Sequence, residues 1–208
     1  MGWMPTSGDF TILEALKEGL LKNVYKIQAP DGTELALKEI RFGGTGTEDY
    51  GDSMNIEEAL YELNTIKKIA TSPTEKPYFP KHVAAMAYLH PAYDPYTGEC
   101  VEQGEVINLA RASSEIEDGR GVSFFIVEEF VQGRFAEPAD IERAKAMREE
   151  GMRRSPRIWL TADTDENDVM VCPDGALKFV DVGNFNALSR DEMRMLDDFM
   201  AQEQGATR

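Results

Sequence analysis

Asp163, Asp168 and Asp181 surround two short apolar runs, Asp168-Val169-Met170-Val171 and Ala176-Leu177-Lys178-Phe179-Val180, joined by Cys172-Pro173-Asp174-Gly175. Pro-Asp-Gly between β-prone runs is a turn, because proline presets one backbone dihedral and glycine accepts a positive one. The spacing predicts a β-hairpin with Asp163 in the loop before it, Asp168 at its start and Asp181 at its end. A hairpin returns its outer ends to one place, so these carboxylates can converge. Convergent carboxylates supply the oxygen ligands that a hard cation such as Mg²⁺ requires, and Mg²⁺ commonly arrives with nucleotide phosphates.

Other charged residues depend on the elements that carry them. Residues 10–40 read as strands: 23–27 is β-prone, Ala29-Pro30-Asp31-Gly32 is a turn, and 35–40 is a second strand. Lys38 alternates with apolar residues there, so its stem lies near the core, and its ammonium either snorkels to water or meets an anion. The clearest helix spans 55–70. Asn55 and Glu58 fit a capping box, Ile56, Ala59, Leu60, Leu63, Ile66 and Ile69 form one apolar stripe, and Glu58 and Glu62 share a flank.

Further strands are expected at 83–89 and 122–130, the second turning polar at Glu128-Glu129. Between them, 91–121 is a long polar excursion with a turn at Pro95-Tyr96-Thr97-Gly98 and a short strand at 106–109. A helix rich in alternating charge is expected at 141–151, then a basic loop at 152–158. Ser189 with Glu192 predicts the cap of a last helix that buries Met193, Leu196, Phe199 and Met200.

Composition removes several classes of function. The chain has 208 residues, enough for one domain or two small lobes, and a net charge of −16. Nucleic acid and anionic membrane are poor partners for such a surface, since both need a dense cationic footprint. Two cysteines far apart, Cys100 and Cys172, fit a reducing, cytoplasmic compartment, and two histidines, His82 and His90, without ligand spacing argue against zinc and against a Ser-His-Asp triad. No stretch is long and apolar enough to predict a membrane span, and residues 1–21 lack the pattern of a signal peptide.

In this order the pieces resemble the protein kinase superfamily. Asp163, Asp168 five residues on, a hairpin and Asp181-Val182-Gly183 resemble its catalytic loop and metal-binding motif. Val24-Tyr25-Lys26 followed by Leu35-Ala36-Leu37-Lys38 resembles its phosphate-holding lysine strand, and Glu62 with Ile66 and Ile69 resembles the helix whose glutamate orients that lysine. Phe130-Val131-Gln132-Gly133 resembles the hinge between the two lobes, which puts Glu128 at the gatekeeper position. The departures are Thr161-Ala162 for His-Arg, Asp168 for Asn, Val182 for Phe, and Asp165 where the family has a lysine that touches the transferring phosphate. Of the three glycines of the phosphate loop only Gly19 is present, with Lys17 and Lys22 at the other positions, either as cationic cover for phosphates or as exposed lysines.

The resemblance implies a minimal two-lobed protein-kinase-like α+β fold, similar to the short kinases that some bacteria inject into host cells. Residues 1–130, with the 91–121 insertion, would be an N-lobe of antiparallel sheet plus helix, and 131–208 a truncated C-lobe. It further implies ATP and Mg²⁺ as cofactors. Lys38, oriented by Glu62, would hold phosphates, with Gly19 and Lys22 above them and the backbone of Glu129 and Val131 at the adenine. Asp168 and Asp181 would carry the metal, and Asp163 would receive the proton of the attacking hydroxyl. The expected substrate is a Ser/Thr of a protein, which for an effector is a host protein met in the host cytosol, and the expected state is a monomer. Residues 184–188 form a connector too short for a phosphorylated switch. A pseudokinase, a kinase-fold enzyme that transfers AMP or acts on a small molecule, and an unrelated acidic α+β domain remain open alternatives.

Overall fold

The turn chemistry and the apolar alternation produce a mixed α+β structure. The computed structural model describes residues 10–18, 22–42, 56–94, 96–182, 188 and 190–206. In chain order they form β1 (Thr11–Glu18), β2 (Lys22–Gln28), β3 (Glu34–Phe42), α1 (Ile56–Thr71), a 3-10 turn (Lys76–Tyr78), β4 (His82–Leu89), β5 (Ala92–Tyr93) and β6 (Cys100–Glu102). There follow β7 (Glu105–Ile107), α2 (Leu109–Glu117), β8 (Val122–Glu129), β9 (Arg134–Phe135), α3 (Pro138–Arg154), α4 (Pro156–Trp159), β10 (Val169–Val171), β11 (Leu177–Phe179) and α5 (Arg190–Ala206). The chain divides into two compact units, one from Met1–Ile56 and His82–Phe130, the other from Glu57–Lys81 and Val131–Arg208. No helix among the described residues is long and apolar enough to cross a membrane.

The first unit is built on a six-stranded antiparallel sheet in the order β1-β2-β3-β8-β4-β7. Its β2–β3 turn closes as Ala29-Pro30-Asp31-Gly32 predicts: the Gly32 N–H donates to the Ala29 carbonyl at 2.9 Å, and Gly32 has φ +85°. Leu35, Leu37, Val127 and Ala84 bury one face with Ile27 and Ala29, while Ile40, Phe124, Ile126 and Ala87 are buried from the neighbouring register positions. Burial on both faces is why β8 reads as an unbroken apolar run rather than an alternating one.

The region 91–121 is more ordered than its composition suggests. It holds the β5–β6 pair, edge strand β7 and helix α2. The expected strand at 106–109 ends at Ile107, because the Asn108 side chain accepts the Arg111 N–H at 2.9 Å and starts α2. An N-cap asparagine overrides two apolar neighbours here.

Among the described residues, the remaining helices belong to the second unit. In α1 the buried face is wider than the apolar stripe, since Tyr61, Glu62 and Thr65 are buried with Leu63, Ile66 and Ile69. The Tyr61 hydroxyl donates to the Arg157 carbonyl at 3.0 Å. The expected basic loop at 152–158 is helical instead. Helix α3 continues to Arg154, and Pro156, at a first-turn position where proline needs no N–H partner, opens α4. Gly151 is required by packing: a Cβ there would lie 2.1 Å from the Trp159 ring. Helix α5 joins this unit through Arg157, which donates to the Phe199 carbonyl at 3.3 Å and to Gln202 Oε1 at 2.8 Å. Leu196 is buried as expected, whereas Met193 is exposed. The caps read at Asn55 and Ser189, together with Gly19 and Gly183, lie outside the described residues, as does the side chain of Met200.

Candidate functional site

The hairpin that gathers the aspartates is formed by β10 and β11, paired Val169↔Phe179, Met170↔Lys178 and Val171↔Leu177. Its turn is the Pro-Asp-Gly one. The Gly175 N–H donates to the Cys172 carbonyl at 2.9 Å, the Asp174 carboxylate accepts the Ala176 N–H at 3.0 Å, and Gly175 has φ +83°. Strand β9 flanks β10, and Gly133 just before it permits a close approach, since a Cβ there would meet the Val171 carbonyl at 2.2 Å. Underneath, Phe179 packs edge-on to Trp159 with ring centroids 5.0 Å apart.

At the open end, backbone bonds bring the acidic positions together. Val180 N–H donates to the Asp168 carbonyl at 2.8 Å, and Asp163 N–H reaches the Asp181 carbonyl at 3.4 Å. The Asp163 carboxylate accepts the N–H groups of Thr164 (2.6 Å) and Asp165 (3.2 Å), which fixes its direction. Asp168 N–H closes the loop on the Asp165 carbonyl at 3.0 Å. One carboxylate oxygen each from Asp163, Asp165 and Asp168 lies within 4.8 Å of the others, with Asp163 and Asp168 buried and Asp165 exposed. By the resemblance Asp165 is only an obstacle to phosphate. It is a third member of the cluster.

The loop that carries Asp163 is held from α3. Arg148 donates to the carbonyls of Leu160 (2.7 Å) and Ala162 (2.9 Å) and to Glu192 of α5 (2.8 Å). Loop carbonyls and a carboxylate thus share one guanidinium, whose planar fork suits several acceptors at once.

Lys38 belongs to the first unit; Glu62, Asp163, Asp168 and Asp181 belong to the second. On β3, Lys38 lies in register between Val24 of β2 and Ile126 of β8, and it is buried. Its ammonium meets the Glu128 carboxylate at 2.8 Å, with the two side chains 7% and 6% exposed. The resemblance puts Glu128 at the gatekeeper position and implies Glu62 as the acid that orients the lysine. Strand register explains the Glu128 contact: Ala36 pairs with Glu128, so Glu128 stands two residues along from Lys38's own partner and on the same face. Among the other expected site residues, Glu62 and Val131 are buried, Lys22 is half-buried on β2, and Glu129 is exposed at the end of β8.

Two buried polar networks carry no chemistry of this kind. In the first unit, Ser123 donates to Glu39 (3.4 Å) and shares a 2.8 Å hydrogen bond with His90 Nε2, while Arg41 grips Glu39 at 2.8 and 2.9 Å. The acid touches the serine rather than the histidine, and Ser123 is fully buried, so this is no nucleophile. Burial holds the His90 ring below its ordinary pKa, Arg41 adding to the effect and Glu39 opposing it. In the second unit, Glu75 is fully buried and accepts from Arg154 (2.8 and 3.0 Å), Ser155 (2.9 Å) and Trp159 (2.6 Å). Burial alone would raise its pKa; the Arg154, Trp159 and Ser155 hydrogen bonds and the Arg154 charge outweigh it, and the carboxyl lies below its usual range.

No protein-family model matches the chain, and comparison with curated proteins finds no match.

Proposed function

We propose that this chain is a Mg-ATP-dependent phosphotransferase of the protein kinase type that acts on a hydroxyl of a protein substrate. One observation carries the reading: a loop and hairpin that deliver Asp163, Asp165 and Asp168 to within 4.8 Å of one another, with Asp181 tied to Asp163 through the backbone. An all-oxygen donor set, two-thirds buried, fits Mg²⁺ and excludes softer metals that prefer nitrogen or sulfur. Of that set Asp168 would hold the cation, joined by Asp181 as the resemblance implies, and the cation would supply neutralising charge for phosphate. Asp163, its carboxylate fixed by two backbone N–H groups, would accept the proton of the attacking hydroxyl. Lys38 would hold the α- and β-phosphates, with Glu62 as its expected orienting acid, Gly19 and Lys22 over the phosphates, and the Glu129 and Val131 backbone at the adenine.

The test is melting of the full chain with and without millimolar Mg-ATP. Ligand at 100 times its dissociation constant adds about 2.7 kcal/mol, equivalent to about 5–10 °C for a chain of this size. Lys38→Ala should remove most of the shift. A wild-type melting temperature that does not move contradicts nucleotide binding.

A second reading, a nucleotide-binding module without transfer, is favoured by Asp165. Its carboxylate stands in the cluster where the family has a cation for the transferring phosphate. Incubation with γ-labelled and α-labelled ATP separates the two: γ-label on protein marks phosphoryl transfer, α-label marks AMP transfer, and neither marks the module.

A further inference from the structure

The lysine on β3 comes with a counter-ion from its own sheet. Val24 and Ile126, its register neighbours, offer no polar atom from their side chains to an ammonium that is out of water. An ammonium there is costly unless an anion meets it. Glu128 does so at 2.8 Å, and it is itself only 6% exposed. Both side chains rise from strands locked together over eight register positions, Leu35↔Glu129 to Phe42↔Val122. The geometry of the pair is therefore set by the sheet, and a charge-assisted bond of this length restrains a flexible four-carbon stem.

We infer that Glu128 is a positioning residue for ligand phosphate: it holds the Lys38 ammonium at a fixed point of the sheet, so that phosphate oxygens meet a preorganised donor. An ammonium has three N–H bonds in a tripod, so a contact with one carboxylate is compatible with a further contact to phosphate. This rests on the phosphotransferase reading, because it takes the ligand of Lys38 to be the phosphates of ATP. It makes a statement that reading does not make. The acid at the end of β8 serves phosphate binding through Lys38 and contributes nothing to recognition of the nucleoside.

The experiment is the ratio of Mg-ATP affinity to adenosine affinity, measured by calorimetry on the full chain as wild type, Lys38→Met, Glu128→Gln and the double variant. The ratio in Glu128→Gln should fall about tenfold or more, with adenosine affinity unchanged. The double variant should match Lys38→Met alone, because an effect that passes through the lysine vanishes once the lysine is gone. Glu128→Asp keeps the charge but withdraws it by one methylene, so its ratio should be intermediate; it serves also if the Gln variant folds poorly. A wild type that binds adenosine as tightly as Mg-ATP overturns the phosphotransferase reading and this inference with it. A high wild-type ratio that Lys38→Met abolishes and Glu128→Gln preserves or raises overturns the inference alone. Additive losses in the double variant do the same.

Discussion

Two carboxylate sites in the second unit show opposite electrostatics. Glu75 is fully buried, yet every polar group around it answers its charge: a bidentate arginine, a serine hydroxyl and an indole N–H. At the mouth of the hairpin, Asp163, Asp165 and Asp168 point like charges at one another within 4.8 Å. Glu75 brings its counter-charge from the chain and ties the turn after α1 to α3 and α4. The aspartate group repels internally, whatever else each member touches, and a divalent cation is the species that reverses that term. The first arrangement ties its charge into the fold; the second gathers like charges at a point where a divalent cation would bridge them.

The largest expected effect falls on Glu75. Glu75→Ala leaves the buried Trp159 N–H without its acceptor and takes the main partner from Arg154, which keeps Glu150, and losing these charge-assisted hydrogen bonds costs about 3 kcal/mol. Chemical denaturation reads it. The same contact has a pH signature. The Glu75 carboxyl is held below its usual range, so its contribution is complete above the unfolded pKa and is lost as pH falls through the folded one. A Glu75→Ala protein of wild-type stability would dissolve the contrast.

Arg148 comes next, since it links the two kinds of site: a structural cation that holds the Asp163 loop. Arg148→Gln should lower stability by about 2 kcal/mol through its charged hydrogen bonds and weaken Mg-ATP stabilisation as the loop loosens. Unchanged nucleotide-dependent melting in this variant would separate the loop from the site.

Opposite in sign is Asp165→Asn. Without divalent cation it should raise the melting temperature by about 2 °C, because one like-charge interaction is gone. With saturating Mg²⁺ the advantage should shrink or invert. If it destabilises the protein with and without cation, the cluster is an internal bonding network like that of Glu75.

The smallest effect belongs to His90 in the first unit. Its ring resists protonation in the fold, so stability rises with pH from the depressed folded pKa up to the unfolded value, and is lost as pH falls through that window. Denaturant midpoints at pH 7.5 and 5.5 should differ for wild type and differ less for His90→Gln. Burial of the ring sets most of the difference, with the Glu39 charge opposing it and the Arg41 charge adding to it.

Local chemistry made several of these features readable. Cys172-Pro173-Asp174-Gly175 specified the hairpin turn, Ala29-Pro30-Asp31-Gly32 the β2–β3 turn, and the leucine and isoleucine spacing of α1 its buried side. What escaped depends on contacts remote in sequence. Glu128 becomes the partner of Lys38 only through the β3–β8 register, and Glu75 looks like any loop acid until Arg154 and Trp159 arrive from 79 and 84 residues away. Asp165 reads as a misplaced charge in sequence, and only the loop that folds it against Asp163 and Asp168 gives it company. At Asn108 the signal is local: a capping side chain stands between two apolar residues of strand-like character, and the cap decides for the helix.

The most direct measurement is transfer of label from γ-labelled ATP with Mg²⁺, compared between wild type and Asp163→Asn, with Mg-ATP affinity determined on the same samples. Phosphoryl transfer by wild type is expected to fall by about 10²–10⁴-fold in Asp163→Asn, while affinity for Mg-ATP stays within a few-fold. Transfer that survives the substitution, or transfer of α-label in place of γ-label, contradicts the account.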